Sequence, residues 1–347
     1  MADKKFVEEA LGKLKINEEF HNVKKSSLTP KDIKKKFDSH IGFEKEKDKF
    51  ADYVYLYLET GGNFRPYKEV TCYVGAPGTG KTSFVRALSK VTGRPIEIIS
   101  CAGLKDFKDY SILGSKDKPS LIAWTFEKNK CKNPIILFDE LEKVEEGSEI
   151  QKDLIKLFNI YKNEKGEENK ELSDAYYDIN IELDHISFFA TVNYSENLAP
   201  LLKKNVTMYS LEDYKPEEKV KILNLKKAEI EKSIQAIYGR EAKNFIPDEL
   251  IEELPNYIKE DGIRQSERVL FKIGEEYIFA KEKGQDFKIE NSKQWLKNNA
   301  LPYQEKFRSN NKHYFLYFLW VIIWILLLTI IIKKIILSEK KLEQQIN

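Results

Sequence analysis

The amino-acid sequence predicts an α/β fold, a parallel sheet sandwiched by helices, followed by a small helical domain. Two observations lead to this prediction. Four β-rich runs alternate with helical segments: runs at 69–74, 96–99, 134–138 and 186–191, helices at 82–92, 120–128 and 150–161. Strands separated by helices are typical of a parallel sheet covered on both faces. Beyond Pro216, strand-like runs nearly vanish, and residues 215–280 read as several helices.

The composition fits a globular chain and excludes several classes of protein. The 347 residues are 41% hydrophobic and 33% charged, which is enough apolar material for a sizeable core and rules out a wholly disordered chain. The formal net charge of +2 gives no overall bias toward nucleic acid. Three cysteines do not make a disulfide scaffold, and the four histidines contain no HExxH pair, which excludes a zinc metalloprotease at the level of motifs.

Shifts in composition divide the chain into six predicted segments. They are a Lys-rich helical N-terminal arm at 1–37, the α/β domain at 38–214, a helical domain at 215–300, a linker at 301–313, an apolar helix at 314–337 and a short polar tail at 338–347. We expect the arm to form one or two solvated helices, either as a loosely packed extension or as a partner-binding element.

The apolar stretch near the C-terminus predicts a transmembrane helix. Residues 314–332 carry no charge, and as a helix they would span roughly 28 Å, about one hydrocarbon core. Tyrosines and tryptophans lie in its first half, as in an aromatic belt. A buried core helix is disfavoured because soluble helices rarely lack a polar face over this length. Both flanks are basic, so the charge rule does not set the orientation.

A phosphate-binding loop lies between the first strand and the following helix. Its GxxxxGK[ST] pattern is complete and runs through Gly75, Ala76, Pro77, Gly78, Thr79, Gly80, Lys81 and Thr82, with Ser83 directly after it. Glycines let backbone N–H groups point at an anion, and the helix N-terminus adds to the attraction. We therefore expect ATP binding, with Lys81 at the β- and γ-phosphates and Thr82 on Mg²⁺.

Polar residues at the ends of two other strands complete the predicted site. Asp139 and Glu140 follow an apolar strand, and Asn193 follows the next strand of the sheet. Asp139 is expected to hold Mg²⁺, and Glu140 to polarise the attacking water. Asn193 could contact the γ-phosphate or that water, although Asn after a strand is more often a turn former.

These motifs together resemble the AAA+ superfamily, and more narrowly the ATPase module of Lon proteases, over about residues 40–299. The matching stretches are HIGFE at 40–44, GAPGTGKTS at 75–83, KNPIILFDELEK at 132–143, LSDAYYD at 172–178, FFATVN at 188–193 with PLL at 200–202, and EDGIRQSER at 260–268. The resemblance implies that Ile41 and Gly42 border the adenine and that Arg264, in a helical lid, senses the γ-phosphate. It also implies a homo-oligomeric ring, with six as the expected number of subunits, acting on a protein substrate.

The sequence departs from the Lon pattern in three places. A Ser/Lys peptidase domain is not expected, because the apolar stretch follows the module within a few dozen residues. Lys204 stands where the family places an Arg that reaches the neighbouring subunit's ATP; Lys offers a point charge rather than a bidentate fork. Ile112 stands where a pore-loop Tyr is usual, with Tyr110 two residues earlier.

Three functions fit these features. The first is a membrane-anchored ATPase, with its ATPase domain in the cytoplasm, that hydrolyses ATP to remodel or unfold proteins. The second is an ATP-dependent membrane scaffold or switch with little turnover, which Lys204 and the missing pore aromatic favour. The third is a nucleic-acid motor or loader, which the fold also allows; nucleic acid is the less expected partner because the basic runs are interleaved with acids.

Overall fold

The computed structural model describes residues 4–13, 15–16, 28–38, 40–59, 69–103, 107–162, 171–239 and 244–300. The chain divides into two compact units, Met1–Lys221 and a second that begins at Ile222, and each is described by itself. The predicted linker, membrane helix and tail, at 301–347, lie outside the described residues. Among the helices that are described, none is long and apolar enough to span a bilayer.

The described helices and strands follow the alternation that the sequence predicts. The helices are α1 (Lys4–Leu11), α2 (Pro30–Lys35), α3 (Glu44–Glu59), α4 (Lys81–Thr92), α5 (Leu121–Asn129), α6 (Glu149–Lys162), α7 (Pro200–Lys203), α8 (Pro216–Tyr238), α9 (Asp248–Tyr257), α10 (Arg264–Glu282) and α11 (Ser292–Asn299). The strands are β1 (Thr71–Val74), β2 (Ile96–Ser100), β3 (Ile135–Asp139), β4 (Glu171–Asp174), β5 (Ile179–Glu182), β6 (Ser187–Val192) and β7 (Thr207–Ser210).

Five of these strands form the parallel sheet that was predicted. Their order is β2-β3-β6-β1-β7, and every neighbouring pair is parallel. The carboxyl ends of β1, β3 and β6 therefore meet at one edge of the sheet. The strand β7 and the antiparallel hairpin β4–β5 were not predicted. Each of these three strands has only four residues, too few for the residue pattern alone to identify a strand.

The residues of β3 show how the sheet divides the core into two layers. Ile135 and Leu137 pack with Phe84 and Leu88 of α4 on one face. Ile136 and Phe138 pack on the other face, in the cluster that α5 and α6 also join. Successive side chains of a strand point to opposite faces, so a continuous apolar strand is buried on both sides.

The N-terminal arm differs from its predicted character. Val7 and Ala10 of α1 are fully buried in the core beside α5, so one face of this helix is packed rather than loose, while its other face is exposed. The side chain of Asn133, also fully buried, accepts from the Lys15 N–H at 3.0 Å and donates to the Lys15 carbonyl at 2.9 Å. Leu11 of α1 also packs against this core. The helix has only eight residues, too few for its apolar positions to show from the sequence that it docks on the core.

The second unit is helical in its described part. Helices α9, α10 and α11 pack around buried leucines, isoleucines and valines that include Leu250, Leu254, Val269 and Ile273. The absence of strands in this part agrees with the loss of strand-like runs after Pro216.

Candidate active site

The phosphate loop leaves the carboxyl end of β1 and enters α4. Gly78 and Gly80 have φ of +85° and +86°, a region that disfavours side chains, so the motif needs glycine at both positions. The Thr79 hydroxyl donates to the Ala76 carbonyl at 2.8 Å and closes the loop on itself. The backbone around Pro77 thus curls above the N-terminus of α4, where the helix dipole favours an anion.

The Lys81 ammonium lies under this loop and joins it to a neighbouring strand. It donates to the carbonyl oxygens of Gly75 at 2.5 Å and Ala76 at 3.0 Å, and to Asn193 Oδ1 at 3.0 Å. Lys81 is only 7% exposed, and this burial lowers its pKa, although nearby carboxylates oppose the shift. The structure thus brings Lys81 and Asn193 together, with three oxygens around one cation.

Asp139 forms the second contact between predicted site residues. Its Oδ1 accepts a hydrogen bond of 2.8 Å from the Thr82 hydroxyl and one of 2.6 Å from the Thr191 hydroxyl. Hydroxyl and carboxylate oxygens are the hard ligands that Mg²⁺ prefers, so Thr82 and Asp139 fit its coordination chemistry. Within the described ranges, no group of three or more His, Cys, Asp or Glu side chains is placed to hold a metal by itself.

Glu140 is held in an unusual backbone conformation at the end of β3. Its φ of +58° and ψ of +51° place it in the left-handed region, where non-glycine residues are uncommon. Its N–H donates to Thr191 Oγ1 at 2.9 Å, so one threonine contacts both members of the Asp-Glu pair. Such backbone strain is concentrated at functional sites, where surrounding contacts must maintain it.

Two residues of this network were missed by the sequence analysis. Thr191 is the polar residue next to the end of the buried strand β6, and this placement is the signal that could have marked it. Glu142 accepts from the Asn193 N–H at 3.0 Å, while its Oε2 is buried without a hydrogen-bond partner among the described residues. The position of Glu142 in the sequence does not distinguish it from an acidic residue in any ordinary helical turn.

A tyrosine lies against the two glycine segments expected to face the nucleotide. Gly42 has a φ of +82°, and a Cβ placed there would be 2.9 Å from Tyr214 Cε1. A Cβ on Gly80 would be 2.1 Å from the Tyr214 hydroxyl. Tyr214 therefore packs between the 41–43 segment and the phosphate loop, and its ring meets Phe43 edge-on at 5.9 Å. No motif in the sequence marks Tyr214 as a site residue.

His40 connects the same segment to the helix α4. Its Nε2 lies 3.1 Å from the Ser83 hydroxyl, which donates to the Gly80 carbonyl at 2.8 Å. Since the hydroxyl proton is used in that bond, the imidazole Nε2 is the donor to Ser83. Burial lowers the pKa of His40 to about 4, with a smaller contribution from the Lys47 charge. The ring is therefore neutral at pH 7.

Two predicted site residues of the first unit are not joined to this cluster by any described contact. Ile41 is half-buried beside Gly42, and Lys204 is exposed directly after α7. Arg264 is exposed at the first residue of α10, in the second unit. There, the Glu260 carboxylate accepts from the N–H groups of Gln265 and Ser266, both at 2.7 Å, and fixes the start of the helix that carries Arg264.

Comparison with known proteins agrees with this geometry. Residues 71–209 match the model of the ATPase family associated with various cellular activities (AAA). The chain is 26% identical over 280 residues to the Lon protease of Malacoplasma penetrans, covering 78% of this chain and 34% of that protein. Lon protease of Mycoplasma mycoides is 28% identical (69% and 29% covered), and that of Neorickettsia sennetsu is 30% identical (67% and 27% covered).

These matches concern one portion of much longer proteins, since the aligned part of the chain spans about a third or less of the curated relatives. Within that portion, the phosphate loop, the Asp-Glu pair and Asn193 lie at one edge of a parallel sheet. Residues 71–209 are therefore similar to the AAA ATPase family, in a module similar to the corresponding part of Lon proteases.

Proposed function

We propose that this chain binds ATP with Mg²⁺ at the phosphate loop and hydrolyses it to ADP and phosphate. The observation that carries the proposal is the pairing of Lys81 with Asn193 and of Thr82 with Asp139 at one edge of the sheet. The first pair joins the loop to the end of β6, and the second joins it to the end of β3. A site that holds phosphate on one side and water on the other requires both connections.

Each residue then has a distinct task. The Lys81 ammonium exchanges its present carbonyl partners for phosphate oxygens, which are stronger acceptors because they are charged. Thr82 and Asp139 would hold Mg²⁺, which neutralises charge on the β- and γ-phosphates when it is bound. Glu140 orients and deprotonates the attacking water, and Asn193 donates its amide N–H to the γ-phosphate or to that water.

We further propose that the chain acts as a ring of identical subunits, with six as the expected number. Lys204 is exposed and available to a neighbouring subunit's ATP, and Arg264 of the helical lid is expected to contact the γ-phosphate. Ile41 and Gly42 are expected to border the adenine. Lys204 offers one point charge in place of the fork of an arginine, so we expect slower hydrolysis than in an enzyme with Arg at this position.

The proposed substrate is a protein near a membrane. The apolar stretch at 314–337 would anchor the chain in the bilayer, and the ATPase domain would face the cytoplasm, where ATP is supplied. The named relatives are proteases, and their names support protein, rather than nucleic acid, as the molecule acted on. Opening and closing of the helical lid during hydrolysis would drive the remodelling.

One observation favours the alternative of an ATP-dependent membrane scaffold with little turnover. Tyr110 and Ile112 are the two candidates for the pore-loop side chain that would contact a threaded polypeptide. They are 9% and 2% exposed. The Tyr110 ring is packed between Phe107 at 4.6 Å and Trp124 at 4.7 Å. In this arrangement neither side chain is presented to a threaded polypeptide.

ATP binding and assembly test the proposal together. The full-length chain in detergent should bind ATP and increase in mass on ATP addition, whereas Lys81→Ala should do neither. Lys90→Ala, an exposed lysine of the same helix, is the matched control and should behave as wild type. A wild-type turnover of about one per second, at the low end of ordinary enzyme rates, supports remodelling. ATP-driven assembly with no measurable turnover supports the scaffold, and ATP binding that survives Lys81→Ala overturns the proposed site.

A further inference from the structure

A cavity lies under α3, at the amino ends of the central strands and away from the phosphate loop. It has a volume of about 50 Å³, and its walls include Glu46, Lys49 and Phe50 of α3, Tyr73 of β1, Tyr209 of β7 and Glu69. We propose that this cavity binds a guanidinium group, the end of an arginine side chain of a partner protein. The proposal concerns the opposite edge of the sheet from Lys81 and does not depend on ATP hydrolysis.

The aromatic wall already holds a cation. The Lys49 ammonium lies 4.5 Å from the centre of the Tyr209 ring, within the range of a cation–π contact. Lys49 is exposed and makes no ion pair with any described residue, so it can leave this position without breaking one. A planar guanidinium would stack on the same ring face more closely than an ammonium does.

Two carboxylates of the cavity wall have acceptor capacity to spare. Glu46 makes no hydrogen bond or ion pair with any described residue. Glu69 accepts from the hydroxyls of Thr207 at 2.6 Å and Tyr209 at 2.7 Å, and a carboxylate can accept about four such bonds. An occupant rich in N–H donors would use these free sites.

Tyr73 adds a hydroxyl oxygen to the cavity wall. Its side chain is only 2% exposed. Because Tyr73 lines the cavity, an occupant with N–H donors could bind its oxygen.

Charge and size together select the occupant. Glu46 and Glu69 outnumber Lys49, so a monovalent cation would neutralise the cavity wall. A cavity of about 50 Å³ has room for a group of a few heavy atoms. The head group of an arginine meets both limits: it has four heavy atoms and five N–H donors, and its aliphatic stem could pass out beside the exposed Lys49.

Calorimetric titration of the full-length chain tests this directly, with an acetylated, amidated Gly-Arg-Gly peptide as the probe at constant ionic strength. Two control peptides replace the arginine. The citrulline peptide is its neutral isostere, and the lysine peptide carries the same charge without the planar guanidinium group. We expect saturable binding of the arginine peptide only, weakened about tenfold or more in Glu46→Gln by loss of a charge-assisted contact. Asp52→Asn, an exposed acid of the same helix, is the matched control and should bind as wild type. Lys49→Ala should bind more tightly, because it removes the competing ammonium.

Several results would overturn the assignment. Equal binding of the citrulline or the lysine peptide would show that the guanidinium is not recognised. Equal weakening in Glu46→Gln and Asp52→Asn would place binding outside the cavity. Tighter binding of free arginine than of the peptide would make the ligand a small molecule rather than a partner protein. No binding to either the wild type or Lys49→Ala would remove the site altogether.

Discussion

The Thr191 hydroxyl donates a hydrogen bond of 2.6 Å to Asp139 Oδ1 and accepts one of 2.9 Å from the Glu140 N–H. A single side chain of β6 therefore holds the Asp-Glu pair that ends β3. Thr191 is 1% exposed, so water cannot readily replace its hydroxyl.

We expect Thr191→Val to weaken both the fold and the active site. It preserves the shape of the side chain but leaves the partly buried Glu140 N–H without its acceptor, which should cost about 1 kcal/mol in the free energy of unfolding. ATP turnover should fall as well, since Asp139 and Glu140 are no longer fixed. Chemical denaturation and steady-state turnover measure the two effects. Thr191→Ser keeps the hydroxyl and should preserve turnover; a Ser variant as impaired as Val would contradict this account.

The contact between Gly80 and Tyr214 predicts a coupled pair of substitutions. Gly80→Ala should lower the free energy of unfolding because its Cβ would lie 2.1 Å from the Tyr214 hydroxyl, in addition to the roughly 1–2 kcal/mol of left-handed strain. In a Tyr214→Phe background the cost should shrink toward the strain alone. Gly147→Ala is the matched control, since Gly147 has a φ of +79° with nothing within 4 Å. Equal costs of Gly80→Ala in both backgrounds would show that the hydroxyl is not the obstacle.

The buried position of Val7 predicts that the N-terminal arm contributes to stability. Val7→Ser removes a fully buried apolar side chain from the core and should lower the free energy of unfolding by about 2 kcal/mol. Glu8→Ser, at the next and exposed position, should have little effect. Urea denaturation of both variants makes the comparison. If both leave the midpoint unchanged, the arm is the loose extension that the sequence suggested.

The lowered pKa of His40 predicts acid sensitivity. The folded-state pKa is about 4 and the ordinary value is 6.5, so between these limits the unfolded chain binds the proton and the folded chain does not. The contribution of His40 is thus fully present above pH 6.5 and is lost as the pH falls toward 4, by up to about 3 kcal/mol in all. Unfolding free energies of wild type and His40→Gln, measured from pH 7 to 4, isolate it. Parallel curves for the two proteins would refute the assignment.

The sequence predicted site residues best where a motif or an acidic pair directly follows a buried strand. The phosphate loop could be located because a complete motif lies between a strand and a helix, and the Asp-Glu pair because an apolar strand delivers it. The ends of β1, β3 and β6 meet in the sheet as expected, which brings Asn193 to Lys81.

Other contacts depend on packing that spacing does not encode. Tyr214 reaches Gly42 and Gly80 from a position more than a hundred residues further along the chain, and no local pattern marks it. The reciprocal bonds of Asn133 with the Lys15 backbone likewise join distant segments. The predicted role of Lys204 concerns a neighbouring subunit, and that of Arg264 concerns the second unit. Both roles stay predictions.

The central claim is that Glu140 activates the water that attacks ATP, and one measurement tests it most directly. Steady-state ATP turnover of full-length Glu140→Gln should fall about 100-fold or more below wild type, as expected for loss of a general base, while ATP binding is retained. Glu146→Gln, an exposed acid shortly after it, should turn over as wild type. A Glu140→Gln protein that hydrolyses ATP as fast as Glu146→Gln would contradict the account.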